Sequence, residues 1–156
     1  MNPAWLGPLV GAGLVVLIIG LSSRISGWAL LAEAYPSLEP VEGRKRWFAS
    51  LGLRRWAFLP ASYGGVVILT YSPEGLRFSL LFPFRFMHPP LFIPWREFAR
   101  TEITRIFYMR QRSFWFGQTS VRMDVTLKLG DEILAAMAEA EGSQRPMGNR
   151  LETTRK

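Results

Sequence analysis

Cysteine is absent from this chain of 156 residues, which excludes disulfides and thiolate metal sites. A reducing compartment fits that absence but is not required by it. Histidine is nearly absent too: His88 stands alone. A metal site usually needs three or more protein ligands, and the Asp and Glu residues are dispersed along the chain. His88 therefore reads as a turn residue whose ring bonds a backbone carbonyl or packs on a proline. The chain also lacks a Gly-x-Ser-x-Gly elbow, a phosphate loop ending in Gly-Lys, and a Gly-x-Gly-x-x-Gly turn opening a helix. Only a site assembled from Arg, Tyr and Ser remains conceivable for catalysis. No enzyme activity, cofactor or metal is expected.

Charge is missing from residues 1–23, and Trp5 to Leu21 is almost wholly apolar. A helix needs roughly 20 apolar residues to cross a bilayer core. A cleaved signal peptide would carry a basic start and a small-x-small cleavage site, but no Lys or Arg precedes this run and Ser22-Ser23-Arg24 is a poor cleavage site. The segment reads as a retained transmembrane anchor. Arg24, Arg44, Lys45, Arg46, Arg54 and Arg55 all follow it, so the positive-inside tendency places the C-terminal part in the cytoplasm of a single-pass membrane protein. Gly7 and Gly11 form a small-xxx-small pair that could face a second helix, although glycine is common in membrane helices generally.

What remains carries a net charge of +7 and is long enough for one domain with one core. Ser26 to Tyr35 reads as a short helix capped by Ser26 and ended by Pro36, with Trp28, Leu31 and Tyr35 on one face. Two places are open for that face, the bilayer surface and the domain. Residues 36–43 are a linker by composition. Strands follow: Trp47 to Phe58, Gly65 to Tyr71, Leu76 to Phe82, Leu91 to Trp95, Glu102 to Met109, a short aromatic element at Phe114 to Gly117, and the alternating run Val121 to Leu129. Ser72-Pro73-Glu74-Gly75 makes a tight turn between the second and third. Pro89, Pro90 and Pro94 keep amides of Leu91 to Trp95 out of the ladder, so this strand should be a sheet edge or a bulge. A helix capped by Asp131 and stopped by Gly142 closes the domain, and residues 143–156 form a basic tail expected to be disordered.

About seven antiparallel strands and a C-terminal helix predict a mainly β fold, a small barrel or sandwich over residues 44–142 with the helix plugging one end, behind an anchor at 1–23 and a juxtamembrane helix and linker at 24–43. That order resembles the pleckstrin-homology-like (PH-like) superfamily, including bacterial PH-like and GRAM-like domains. Gly75-Leu76-Arg77-Phe78, His88 to Trp95, and Ser26-Gly27-Trp28 with Leu31-Ala32 resemble phrases of small bacterial membrane-anchored proteins to which no activity is assigned. The resemblance covers roughly residues 25–140. It implies a domain that binds lipid or protein, although the first hairpin lacks the Lys-x-Arg pattern of phosphoinositide binders.

Two basic sets are candidate contacts. No acid lies between Glu42 and Glu74, while Arg44, Lys45, Arg46, Arg54 and Arg55 do, with aromatics at Trp47, Phe48 and Trp56. Near an anionic membrane each such cation contributes on the order of 1 kcal/mol. The second set is Arg100, Arg105, Arg110, Arg112 and Arg122, opposed locally only by Glu102. Phe114, Trp115 and Phe116 lie beside Arg110 and Arg112, an interfacial wedge or partner site if the hairpin is exposed. The bland readings are topology-driven basic loops for the first set and barrel core for the aromatics. The function expected is a non-catalytic, membrane-anchored adaptor whose cytoplasmic domain touches anionic lipid or a membrane-protein partner. The alternative is a structural subunit of a membrane complex, with homo-oligomers as one form. Nucleic acid is a poor partner because no recognition motif accompanies the charge.

Overall fold

The computed structural model describes residues 27–144 except 38, 57, 58 and 107, together with residues 10, 11, 13, 14 and 17 of the N-terminal segment. The expected anchor lies for the most part outside the described residues, as do the Ser26 cap and the tail from 145 onward. Among the described residues, no helix is long and apolar enough to cross a membrane.

Seven strands form one antiparallel sheet: β1 (Arg44–Trp56), β2 (Leu59–Tyr71), β3 (Gly75–Leu80), β4 (Leu91–Pro94), β5 (Phe98–Ile106), β6 (Met109–Phe116) and β7 (Arg122–Thr126). Their order across the sheet is β4-β3-β2-β1-β7-β6-β5. Two meanders, β1 to β4 and β5 to β7, are thus joined where β1 pairs β7 from Leu51↔Val125 to Arg54↔Arg122. The sheet curls into a half-barrel whose edges are β4 and β5. The edge position of β4 matches its prolines.

Alternation decides what fills the barrel. Leu51 and Leu53 of β1, Val67 and Leu69 of β2, Phe78 and Leu80 of β3, and Met123 and Val125 of β7 are all buried. The expected turn at Ser72 to Gly75 is present: the Gly75 amide donates to Ser72 Oγ at 3.2 Å and the Ser72 amide donates to Gly75 O at 3.0 Å. At Gly75 a Cβ would collide with the backbone oxygen of Ile93, so the turn admits no side chain there.

The C-terminal helix caps the half-barrel, and a short helix before the sheet, α1 (Trp28–Ala34), packs into its core. Trp28, Leu31 and Tyr35 are all buried, so their shared face docks on the domain rather than on lipid. The helix starts from Gly27 in a left-handed conformation (φ 88°), where a Cβ would approach Val121 Cγ2 to 2.8 Å.

Helix α2 (Leu127–Gln144) begins five residues earlier than the Asp131 cap implies, and β7 ends at Thr126 rather than Leu129. The cause is local. Thr126 Oγ1 accepts the Leu129 amide at 3.4 Å, the reach of an N-cap hydroxyl to the third helical residue. Asp131 is instead drawn to Arg112, at 2.5 Å. Gly142 does not stop the helix, which continues to Gln144.

Candidate functional site

The first basic set does not converge. β1 is extended from Arg44 to Trp56, so Arg54 lies eight residues, about 25 Å, from Arg46. At the start of the strand, Arg46 and Arg44 both reach Glu132 of α2, at 2.6 and 3.7 Å. Arg44 also stacks over the Tyr71 ring, 4.9 Å from its centroid. Lys45, on the alternate side of the strand, is exposed. Beyond Arg46 the register with β2 slips between Arg46↔Leu69 and Ala49↔Val67. Phe48 sits in this bulge at φ 57°, a backbone region unusual for a bulky residue. The bulge leaves Trp47 and Phe48 on the surface, 53% and 69% exposed.

Further along the strand, Arg54 serves a different network. Asp124 is buried on the outer face of the sheet; it accepts from Ser113 Oγ at 2.6 Å and from Arg122 at 3.0 Å, with Arg54 Nε 3.6 Å away. Ser113 Oγ in turn lies 2.6 Å from Thr104 Oγ1. Arg54 and Arg122 neutralise a carboxylate that could not be left there alone. Arg55 is exposed, beside Gly27.

The second set is redistributed. Phe114 and Phe116 are buried at 0% and 3% exposure, so the expected aromatic wedge is barrel core. Trp115 points the other way, between Arg100 and Arg122 at 5.1 and 5.7 Å. Arg112 pairs with Asp131 and lies against Gly130. The physical reason is that residues 114–116 are the last part of an eight-residue strand, not a loop. Ile106↔Met109 is the last pair of the β5–β6 hairpin, and Tyr108 lies in the turn that it closes. Its sequence, Ile-Phe-Tyr-Met, carries no Gly, Asn, Asp or Pro to announce a turn. Its tip exposes Tyr108 (99%) and Met109 (63%), and Ile103 nearby is also exposed. Arg105 and Arg110 face each other across this hairpin, with no carboxylate at ion-pair distance from either among the described residues.

His88 is buried against Trp28 and Tyr63. Its Nδ1–H donates to Phe84 O at 3.0 Å, which leaves Nε2 to accept the Tyr63 hydroxyl at 3.1 Å. The Trp28 ring packs against both, and its Nε1–H donates to Pro89 O at 2.9 Å. Burial pushes the His88 pKa below the ordinary histidine value, partly opposed by the bond to Phe84 O. Both nitrogens are thus occupied in holding the loop before β4. Among the described residues, no group of three His, Cys, Asp or Glu is placed to hold a metal.

A cleft of about 460 Å³ opens between α2 and the Arg44 end of β1 and β2, lined by Arg44, Tyr71, Ser72, Glu139 and Ser143 among others. The Tyr71 hydroxyl is buried there without a hydrogen-bond partner among the described residues. Burial, reinforced by the Glu132 charge, raises its pKa and keeps it protonated. No protein-family model matches the chain, and a search of curated proteins finds no match.

Proposed function

We propose that this chain is a non-catalytic, membrane-anchored adaptor, with a PH-like domain held at the cytoplasmic face. One observation carries the reading. Val10, Leu14 and Leu17 are helical and 55–65% exposed, inside a stretch of 23 residues without a charge. They recur at steps of four and three, and a Cβ at Gly11 or Gly13 would meet nothing within 4 Å. An apolar helical surface that the domain does not cover calls for lipid. The sheet order, with a helix across one end, supports the PH-like part.

The two ends of the domain suit an adaptor. Val121, against Gly27, marks the tethered end. The β5–β6 tip lies at the other end of β6, which spans eight residues or about 25 Å. Ile103, Tyr108 and Met109, flanked by Arg105 and Arg110, are therefore presented away from the tether, where an acidic protein surface could take them. That tip is also what favours the second reading, a structural subunit of a membrane complex.

Alkaline carbonate extraction of membranes containing the full chain tests the anchor. The chain is expected to stay with the lipid, and its release into the aqueous fraction overturns the reading. For the adaptor part, the double change Arg105→Glu and Arg110→Glu is expected to abolish recovery of cross-linked partners from the membrane. An unchanged cross-linking pattern rejects that surface.

A further inference from the structure

The loop between β3 and β4 holds two phenyl rings in solvent: Phe82 is 77% and Phe86 80% exposed. The rings meet edge to face with centroids 5.5 Å apart, so each covers only part of the other. The backbone beneath them is pinned. Leu81 N–H donates to Val66 O at 2.9 Å and Phe86 N–H to Pro83 O at 3.4 Å. His88 holds Phe84 O, and Trp28 holds Pro89 O. The rings are therefore held outward.

Trp28 ties this loop to the first turn of α1, which fixes where the loop sits relative to the tether. Gly27 lies four positions after Ser23, the end of the uncharged segment. A chain spans at most about 3.6 Å per residue, so the end of the apolar segment is covalently confined to within about 14 Å of Gly27. Arg85 lies between the two phenylalanines, and its charge is felt at Arg77, whose pKa is lowered by burial first and by Arg85 second. Bare aromatic rings beside a cation, next to an apolar tether, match the interfacial layer of an anionic bilayer.

We propose that Phe82, Arg85 and Phe86 form a wedge that enters the head-group layer of an anionic bilayer beside the N-terminal segment. The proposal rests on the membrane-anchored reading above and names the lipid-touching surface of the domain. It replaces Arg44, Arg46 and Arg54 in that role, since these are engaged with Glu132 and Asp124.

The absence of cysteine allows single-site labels in the full chain. Phe86→Cys, Leu14→Cys and Tyr108→Cys would each carry a bimane. The proteins would be reconstituted in phosphatidylcholine vesicles with a minority of phosphatidylglycerol, and quenched by doxyl lipid or by aqueous iodide. At position 86 doxyl lipid is expected to quench several-fold more than at position 108, with iodide showing the reverse. Iodide quenching at 86 as strong as at 108, without lipid quenching, overturns the wedge. Phe82→Cys repeats the test with the other ring intact, so loss of one phenyl group does not decide it. Lipid quenching at 14 but not at 86 rejects the wedge alone. Lipid quenching at 86 but not at 14 supports the wedge and rejects the span. Quenching at neither position rejects both.

Discussion

Two sets of aromatic rings meet at the loop before β4, and they are distributed against simple expectation. Trp28, Tyr63 and His88, each with a polar atom on its ring, are buried. Phe82 and Phe86, bare hydrocarbon, are in solvent. The inner set can be buried because every polar atom described there finds a partner: Pro89 O for Trp28, His88 Nε2 for Tyr63, Phe84 O for His88. Those three bonds determine the path of the loop, and the path turns the phenylalanines outward. The inner rings are a clamp, and the outer rings are what the clamp displays.

Breaking the clamp should have the largest effect. Trp28→Ala removes a ring that is 1% exposed and is expected to cost about 4 kcal/mol, read from guanidinium unfolding of the detergent-solubilised chain. A loss below about 1 kcal/mol would mean that α1 is not part of the core. Tyr63→Phe keeps the ring but leaves His88 Nε2 without its donor. It should cost about 1–2 kcal/mol in the same measurement, and a neutral result would break the claim that the inner set depends on its polar atoms.

His88 sharpens the comparison through pH. Its folded pKa lies below the unfolded value of about 6.5, so between the two values the unfolded chain binds more protons. Its contribution to stability is complete above the unfolded pKa, is lost as pH falls below it, and levels off once pH passes the folded value. His88→Asn keeps a donor toward Phe84 O and removes the titration. Melting curves between pH 5 and 8 should therefore be flatter for the variant than for the parent, whereas parallel profiles would assign the titration elsewhere.

The smallest effect belongs to the outer set. Phe82→Ser with Phe86→Ser should change unfolding free energy by no more than about 0.5 kcal/mol, because neither ring is packed into the domain. A larger loss would make these rings part of the fold rather than of its surface.

The sequence announced some elements of this structure and hid others for identifiable reasons. The Ser72 to Gly75 turn, the edge strand with its prolines, and the buried face of α1 all rest on local signals: turn residues, missing amides, and three- and four-residue spacing. The β7–α2 boundary misled because Val121 to Leu129 alternates cleanly to its end, while the single hydroxyl of Thr126 starts the helix inside that pattern. The β5–β6 turn lacked any turn residue. The arginines misled most. Their clustering along the chain suggested one patch, but a strand spreads neighbours apart and brings in distant carboxylates. Glu132 lies 86 residues from Arg46, and Asp124 reaches Arg54 only through the β1–β7 pairing. The bulge at Phe48 and the outward turn of Phe82 and Phe86 are set by register and by the clamp, neither of which has a local signature.

The seam between the two meanders also bears on how the chain acquires its shape. Within each meander every strand pairs with its neighbour in sequence, so those contacts close short loops. The seam joins Leu51 to Val125, residues about 74 apart, through four paired positions. Closure of so long a loop is entropically late, and slow compared with hairpin formation. During synthesis the first meander can assemble while β7 is still unmade, and β1 must wait with one edge unoccupied. Gly52 and Arg54 on that waiting edge are poor invitations to a foreign strand, so the arginine that meets Asp124 in the finished sheet would also discourage mispairing before β7 arrives.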